Sequence, residues 1–257
     1  LKGFNDSLSE DALKAAVEIY ESTVGGGQVS DNSSSFFTVT DGSDKTDHAR
    51  IHAAVELYIT TGEQKYKDFL LSKLDFIKEN IETLGWICAR AKDAMQEDAY
   101  TEALRAALTE YKKKIDELNK ETPYGIPYRP HIWGAGWMIQ EMGFKYYFLY
   151  KAFPDIFEPD LMMNALNFVL GCHPGSNTAS FASGVGAKSA TTAYGLNRAD
   201  WSHIPGGVVS GTALIRPDFP ELLEFPFLWQ QTEYVLGGGS SHYMFLVLAV
   251  QQVLNKF

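Results

Sequence analysis

Cysteine is scarce in this chain, with Cys88 and Cys172 the two in 257 residues. Their spacing matches neither a disulfide framework nor a zinc-ligand set, so a stapled miniature fold is excluded and the redox compartment is left open. Long apolar runs are also missing, and nothing approaches the roughly 18 residues of a membrane span. Basic charge is in deficit, with 22 Lys and Arg against 32 Asp and Glu and a formal net charge of -10 at pH 7. A nucleic-acid backbone is therefore not expected as a partner, because such binding relies on clustered cations. The densest basic run, Lys112 to Lys114, lies among acids and reads as a solvated helix face. An initiating Met and a signal peptide are lacking too. The opening Leu1-Lys2-Gly3-Phe4 reads as the interior of a longer protein, which leaves room for a removed signal or an upstream domain.

Hydrophobic residues make up 45% and charged residues 21%, enough for a sizeable core in a single domain over 1–257. The periodicity is helical. Ser9 can cap a helix with Leu13, Ala16, Val17 and Tyr20 on one face, ended by Gly25-Gly26-Gly27. A second helix carries Ile51, Ala54, Val55 and Tyr58 and stops at Thr61-Gly62. A third starts near Gln64 with Phe69, Leu70, Leu74 and Ile77, and a fourth spans about 96–119 with Leu104, Leu108, Tyr111, Ile115 and Leu118. Two more are expected near 133–151 and 158–170. The last, from about Ser240, is apolar on nearly every face and is expected to be deeply buried. Strand patterning is confined to short pieces near 36–39 and 207–209, and no fixed repeat supports a solenoid. Seven or eight antiparallel helices predict an all-α fold with its function on the loops at one end.

Three patterns resemble known sites and fail on detail. In Gly184-Val185-Gly186-Ala187-Lys188-Ser189, Ala187 stands where a phosphate loop needs glycine, so a flexible or tightly turned glycine loop is the better reading. His48 and His52, one helical turn apart beside Asp47, supply too few ligands for zinc. Asp41, Asp44 and Asp47 lack the glycine and distal Glu of a calcium loop. No cofactor is expected, and a structural calcium is not indicated.

The chemistry gathers in the loops. Residues 123–137, PYGIPYRPHIWGAGW, bring Tyr124, Tyr128, His131 and Trp133 together before a helix start. Aromatic faces with hydrogen-bonding edges suit sugar rings, whose C–H faces stack while their hydroxyls need partners. Trp137 reads as core. Residues 171–228 are rich in glycine, carry prolines at 174, 205, 217, 220 and 226, and show no long helical stripe. Their 194–218 part adds Asn197, Arg198, Asp200, Trp201, His203, Arg216 and Asp218. Such a run is built for function, although Arg198 with Asp200 and Arg216 with Asp218 serve equally well as loop-locking ion pairs. Near the C-terminus, Glu233 sits in WQQTEYVLGGG with Gln231 close by, just ahead of the last helix.

These motifs together resemble glycoside hydrolase family 9. LGCHPGSNTASFASGVGAKS (170–189) is similar to the family's Leu-Gly-x-Asn-Pro helix end and the Ser-Tyr-x-x-Gly-x-Gly that follows it. IPGGVVSGT (204–212) resembles its Pro-Gly-x-x-x-Gly-Gly segment, and WGAGW its Trp-Gly-Ser-Asn helix start. WQQTEYVLGGGSSHYMFLVLA resembles the closing segment, in which Asn-Glu precedes the last helix and the Glu is the general acid. Order and spacing agree from about residue 130 to the end, whereas LKGFND and ELYITTGEQKY are compatible with the earlier helices.

The resemblance implies an (α/α)6-barrel toroid, incomplete in this chain, and an inverting hydrolase of β-linked poly- or oligosaccharides. It makes Glu233 the acid and gives sugar contacts to Tyr124, His131, Trp133, Asn197, Arg198, Trp201 and Gln231. The family's Asp-Ala-Gly-Asp base motif is not in this sequence, which places the base in an upstream part of the same polypeptide and leaves the fragment inactive alone. The family's His-His-Arg cluster is replaced around Gly195 to Arg198, pointing to a divergent substrate. The substrate class implies an extracellular or periplasmic protein. Two alternatives are a carbohydrate-binding or scaffold domain that kept the fold, and a lyase or epimerase using Tyr or His as base.

Overall fold

The structure, a computed structural model, describes residues 1–24, 42–121, 124–127, 135–174, 180–187, 205–208 and 238–255. Among them the regular elements are α1 (Asp6–Val24), α2 (Gly42–Thr61), α3 (Gln64–Ser72), α4 (Leu74–Glu79), α5 (Ile81–Met95), α6 (Asp98–Leu118), α7 (Ala135–Ala152), α8 (Asp160–Val169) and α9 (Gly238–Leu254). An isolated antiparallel bridge joins Ala182 to Val208. The all-α expectation holds, and the described helices number nine. The helix expected from Gln64 is two, broken at Lys73, and α5 had not been read from the sequence. Its buried positions, Ile81, Leu84, Gly85, Ile87, Cys88, Ala89, Ala91 and Met95, cover one broad side, with Glu82, Thr83, Asp93 and Ala94 exposed on the other. Three of the buried positions are the small residues Gly85, Ala89 and Ala91, which weaken the apolar stripe in the sequence.

The chain forms two compact units, Leu1–Leu108 and Thr109–Phe257, with the boundary inside α6. In the first, α2 packs on α1, α3 and α5. The stripe Ile51, Ala54, Val55 and Tyr58 is buried as the periodicity requires. Tyr100 at the start of α6 is fully buried, and its hydroxyl donates to the Cys88 carbonyl at 2.9 Å. Burial pushes the Cys88 thiol up to about 12, so it is a packed core group and not a nucleophile. Cys172 is exposed, and both thiols are free.

In the second unit, α7 packs on α8 and α9, and α8 on α9. Gly143 marks the point where they meet, since a Cβ there would lie 2.9 Å from both Ala165 Cβ and Leu246 Cδ2. Phe153 and Phe157, between α7 and α8, are fully buried. The expectation that α9 is buried all round is corrected. Leu246, Ala249, Val250 and Val253 face the core at helical spacing, whereas Met244 is 64% exposed and Leu248 62%. An apolar composition does not by itself enclose a helix, and here one stripe is covered.

Candidate functional site

The end of α8 is where the loops identified from sequence become visible. Beyond Val169 the chain returns on itself: the Phe181 amide donates to the Val169 carbonyl at 2.7 Å, and the Ala187 amide to the Leu170 carbonyl at 2.8 Å. Ser180, buried, donates its hydroxyl to the Ala182 carbonyl at 2.8 Å. A second stretch joins through Ser183 N–H to the Gly207 carbonyl, 2.9 Å, and Gly206 N–H to the Ser183 carbonyl, 2.8 Å. Gly186 has φ +84, and a Cβ there would lie 2.5 Å from the Leu170 carbonyl oxygen. Only glycine suits a positive φ with backbone so close. Of the two expected forms of 184–187, flexible or tightly turned, the tight turn is the one present, and the Ala187 amide is committed to Leu170 instead of facing an anion.

Beside this turn lies an aromatic cluster. Tyr124 is 7% exposed and meets Phe168 of α8 edge-on, ring centroids 5.3 Å apart, and His173 at 5.1 Å. His173 stacks on Phe168 at 5.3 Å, and Phe168 stacks on Phe181 at 5.5 Å. Both offset geometries are favourable for paired rings. His173 Nδ1 is 2.8 Å from the Pro174 carbonyl. A carbonyl only accepts, so Nδ1 carries the proton in the neutral ring and Nε2 is the bare acceptor. That Nε2 is buried and has no hydrogen-bond partner among the described residues. Next to Tyr124, Gly125 has φ +66, and its carbonyl accepts from Asn164 Nδ2 at 3.2 Å.

Of the residues expected from sequence to form the site, Tyr124 falls within the described part. Glu233, His131, Trp133, Asn197, Arg198, Trp201 and Gln231 lie outside it. Tyr124 has much of its ring against protein, where the sequence reading had set it against a sugar. Asn164, Phe168, His173 and Phe181 had not been singled out. A signal for His173 was present, since it stands where the Leu-Gly-x-Asn-Pro pattern has Asn.

The histidine pair resolves otherwise. His48 Nε2 is 3.0 Å from Thr83 Oγ1, and Asp47 is bound to Lys73 at 2.7 Å. His52 lies edge-on to Trp86 at 5.7 Å. Among the described residues no group of three or more His, Cys, Asp or Glu is placed to hold a metal ion. The basic run is a solvated face as expected, with Lys112 paired to Asp116 and Lys113 to Glu110. Among the described residues no helix is long and apolar enough to cross a membrane.

No protein-family model and no curated protein matches the chain. Solved structures do. The cellulase Cel9M of C. cellulolyticum superposes with a TM-score of 0.67 at 18% identity, covering 98% of this chain and 60% of that one. AaCel9A, solved with a cellobiose-like isofagomine, gives 0.69 at 15% identity, covering 96% and 51%. The glycoside hydrolase family 9 endoglucanase J30 gives 0.66 at 18%, covering 96% and 50%. The fold is that of the family 9 cellulases. The chain spans between half and three-fifths of the length of these cellulases, and it follows their helical-barrel fold over almost all of its own residues.

Proposed function

We propose that this chain is part of a glycoside hydrolase that cleaves a β-linked poly- or oligosaccharide with inversion. What carries the reading is the likeness of fold to cellulases over 96–98% of the chain. In sequence Glu233 comes shortly before Gly238, the first residue of α9, which is where the resemblance puts the acid. In this reading Glu233 protonates the leaving glycosidic oxygen. A second carboxylate, carried by a part of the polypeptide before Leu1, activates water from about 6.5–9.5 Å away. The acid must be protonated when it acts. Burial raises a carboxyl and a helix N-terminus lowers it, so burial has to prevail.

In this reading His131, Trp133, Asn197, Arg198, Trp201, Gln231 and Tyr124 contact the sugars. The substrate class makes the protein extracellular or periplasmic. The test is an assay of the full-length natural polypeptide against Glu233→Gln on soluble β-glycans. The variant is expected to lose roughly 10²–10⁴-fold in kcat, as removal of a general acid does. Unchanged turnover in Glu233→Gln removes that residue from the mechanism. Sugar binding without turnover by the wild-type chain favours the scaffold reading.

A further inference from the structure

Helix α1 carries more apolar surface than its described neighbours cover. It packs on α2, and Leu13, Val17 and Tyr20 form its covered stripe. Tyr20 also meets Tyr66 and Phe69 of α3 edge-on, ring centroids 5.2 and 6.1 Å apart. A second stripe follows the same period, through Leu8, Ala12, Ala15 and Ile19. At 3.6 residues per turn it lies roughly 120° round the helix from the first. All four residues are exposed, Leu8 at 49% and Ile19 at 66%. The turn ahead of the helix is closed by the Phe4 and Asn5 amides, which donate to the Leu1 carbonyl at 2.9 Å. It adds an exposed Leu1 and a Phe4 that is 97% exposed. One exposed apolar side chain is ordinary, whereas a stripe at helical spacing is the mark of a face that packs on another element.

Charge narrows the choice of occupant. Helix α1 holds Asp6, Glu10, Asp11, Glu18 and Glu21 against Lys14. Asp11 and Glu18 border the second stripe on the edge that faces away from the first, roughly 80° from its centre. A second copy of this chain would set one acidic edge against another, and an anionic lipid surface is repelled in the same way. The complement is a helix whose own apolar stripe is bordered by Lys or Arg. The fold likeness supplies a source for it. The chain follows the family 9 helical barrel over 96–98% of its own length while spanning 51% of AaCel9A and 60% of Cel9M, so two-fifths or more of each of those chains lies outside the match.

We propose that the outer stripe of α1 is an interface that docks an amphipathic helix with basic flanks, supplied by the part of the polypeptide before Leu1. The inference rests on the reading that places such a part upstream, and it gives that part its seat on the first unit. Ala12 and Ala15, in the middle of the stripe, let the incoming helix approach closely.

The test uses the full-length natural polypeptide with the photo-crosslinker p-benzoyl-phenylalanine in place of Ile19 and, as a control on the charged face, in place of Lys14. Irradiation is expected to join position 19 to a peptide from before Leu1 that contains Lys or Arg, and to join position 14 to none from there. A cross-link from position 19 to a second copy, to another segment of 1–257 or to no peptide overturns the proposal, as does a natural polypeptide with nothing ahead of Leu1. Stability gives an independent readout. Lys is a good helix former and α1 is acidic, so at a position facing water Ile19→Lys leaves the melting temperature unchanged or raises it. Against a packed helix with basic edges the melting temperature should fall by about 3 °C or more. An unchanged or higher value overturns the docking. Neither readout needs turnover. A protein that cleaves no β-glycan yet gives the upstream cross-link loses the glycosidase reading and keeps the interface.

Discussion

In residues 1–108 helices meet through their side chains, whereas beyond α8 the backbone itself is the surface against which the chain packs. The α2–α5 seam shows the first manner. His48 meets Thr83, His52 meets Trp86 and Glu56 meets Arg90, so one side of α2 makes a contact at each successive turn. Behind these contacts Ile51, Val55 and Leu84 are fully buried. The residues from Ser180 to Ala187 show the second manner: carbonyls of Val169 and Leu170 take the amides of Phe181 and Ala187, and Gly186 lies where no side chain fits. Residue types that suggest chemistry are absorbed by the scaffold in the first unit. In the second, among the described residues, Tyr124 and His173 pack on Phe168 beside the turn at 180–187.

This contrast implies that one region is broken by adding an atom and the other by removing some. Gly186→Ala should have the largest effect on stability. The added methyl meets the Leu170 carbonyl at a separation no real contact allows, and the positive φ adds strain. Together these cost about 4 kcal/mol by addition of the usual left-handed and overpacking penalties. Chemical denaturation should show it as a lower midpoint. A loss under 1 kcal/mol means that the turn is not packed on α8. Leu84→Ala, in the first unit, comes next at about 3 kcal/mol, because the residue is fully buried and its neighbours cannot collapse completely into the space. The same substitution at an exposed position such as Leu248 serves as the control.

The helices were legible in the sequence wherever burial was one-sided. The α2 stripe is buried as expected, and of the α6 stripe Leu104, Leu108 and Ile115 are buried while Tyr111 and Leu118 are partly covered. Two departures mark the limits of that rule. Helix α5 buries a broad side built partly from the small residues Gly85, Ala89 and Ala91, so its stripe is faint in the sequence, and α9 is apolar all round in composition yet covered along one stripe. Periodicity reports which face is different, so it says little when no face is. The aromatic cluster was legible only in part. Glycine and proline announced a turn near Gly125 and another near Gly186, yet the rings that meet Tyr124 beside the first, Phe168 and His173, come from residues about 40 to 50 positions further on. No local pattern encodes that pairing. Glu233 and the other loop residues were drawn from motif order, and their geometry lies outside the described residues.

The seam in the first unit also has polar contacts, and they should matter far less than its core. Glu56→Ala removes the carboxylate that Arg90 grips with both nitrogens. The pair is largely open to solvent, so the expected loss is about 0.5 kcal/mol, shrinking further in high salt. A loss above 2 kcal/mol would show that the rungs, and not the apolar residues behind them, hold α2 to α5.

The smallest effect is expected at the α7–α9 contact, where His242 gives the second unit a sensitivity to acid. Its ring lies over Phe144 at 4.7 Å, and Nδ1 is buried without a hydrogen-bond partner among the described residues. Burial lowers the His242 pKa below the ordinary 6.5; nearby Glu141 opposes this and Lys145 adds to it. The last two are paired to each other at 2.6 Å, which blunts both influences. Because the folded pKa is the lower one, the unfolded chain takes up the proton first as acid is added. The stabilisation is therefore complete above about pH 6.5 and declines as the pH falls through the folded value. His242→Gln should flatten the fall in melting temperature between about pH 7 and 5, with little change at pH 8. Identical pH slopes in the two proteins would mean that the imidazole is as well solvated in the folded chain as in the unfolded one. The α7–α9 contact would then stabilise the second unit through its apolar stripe alone, as α2 and α5 do in the first.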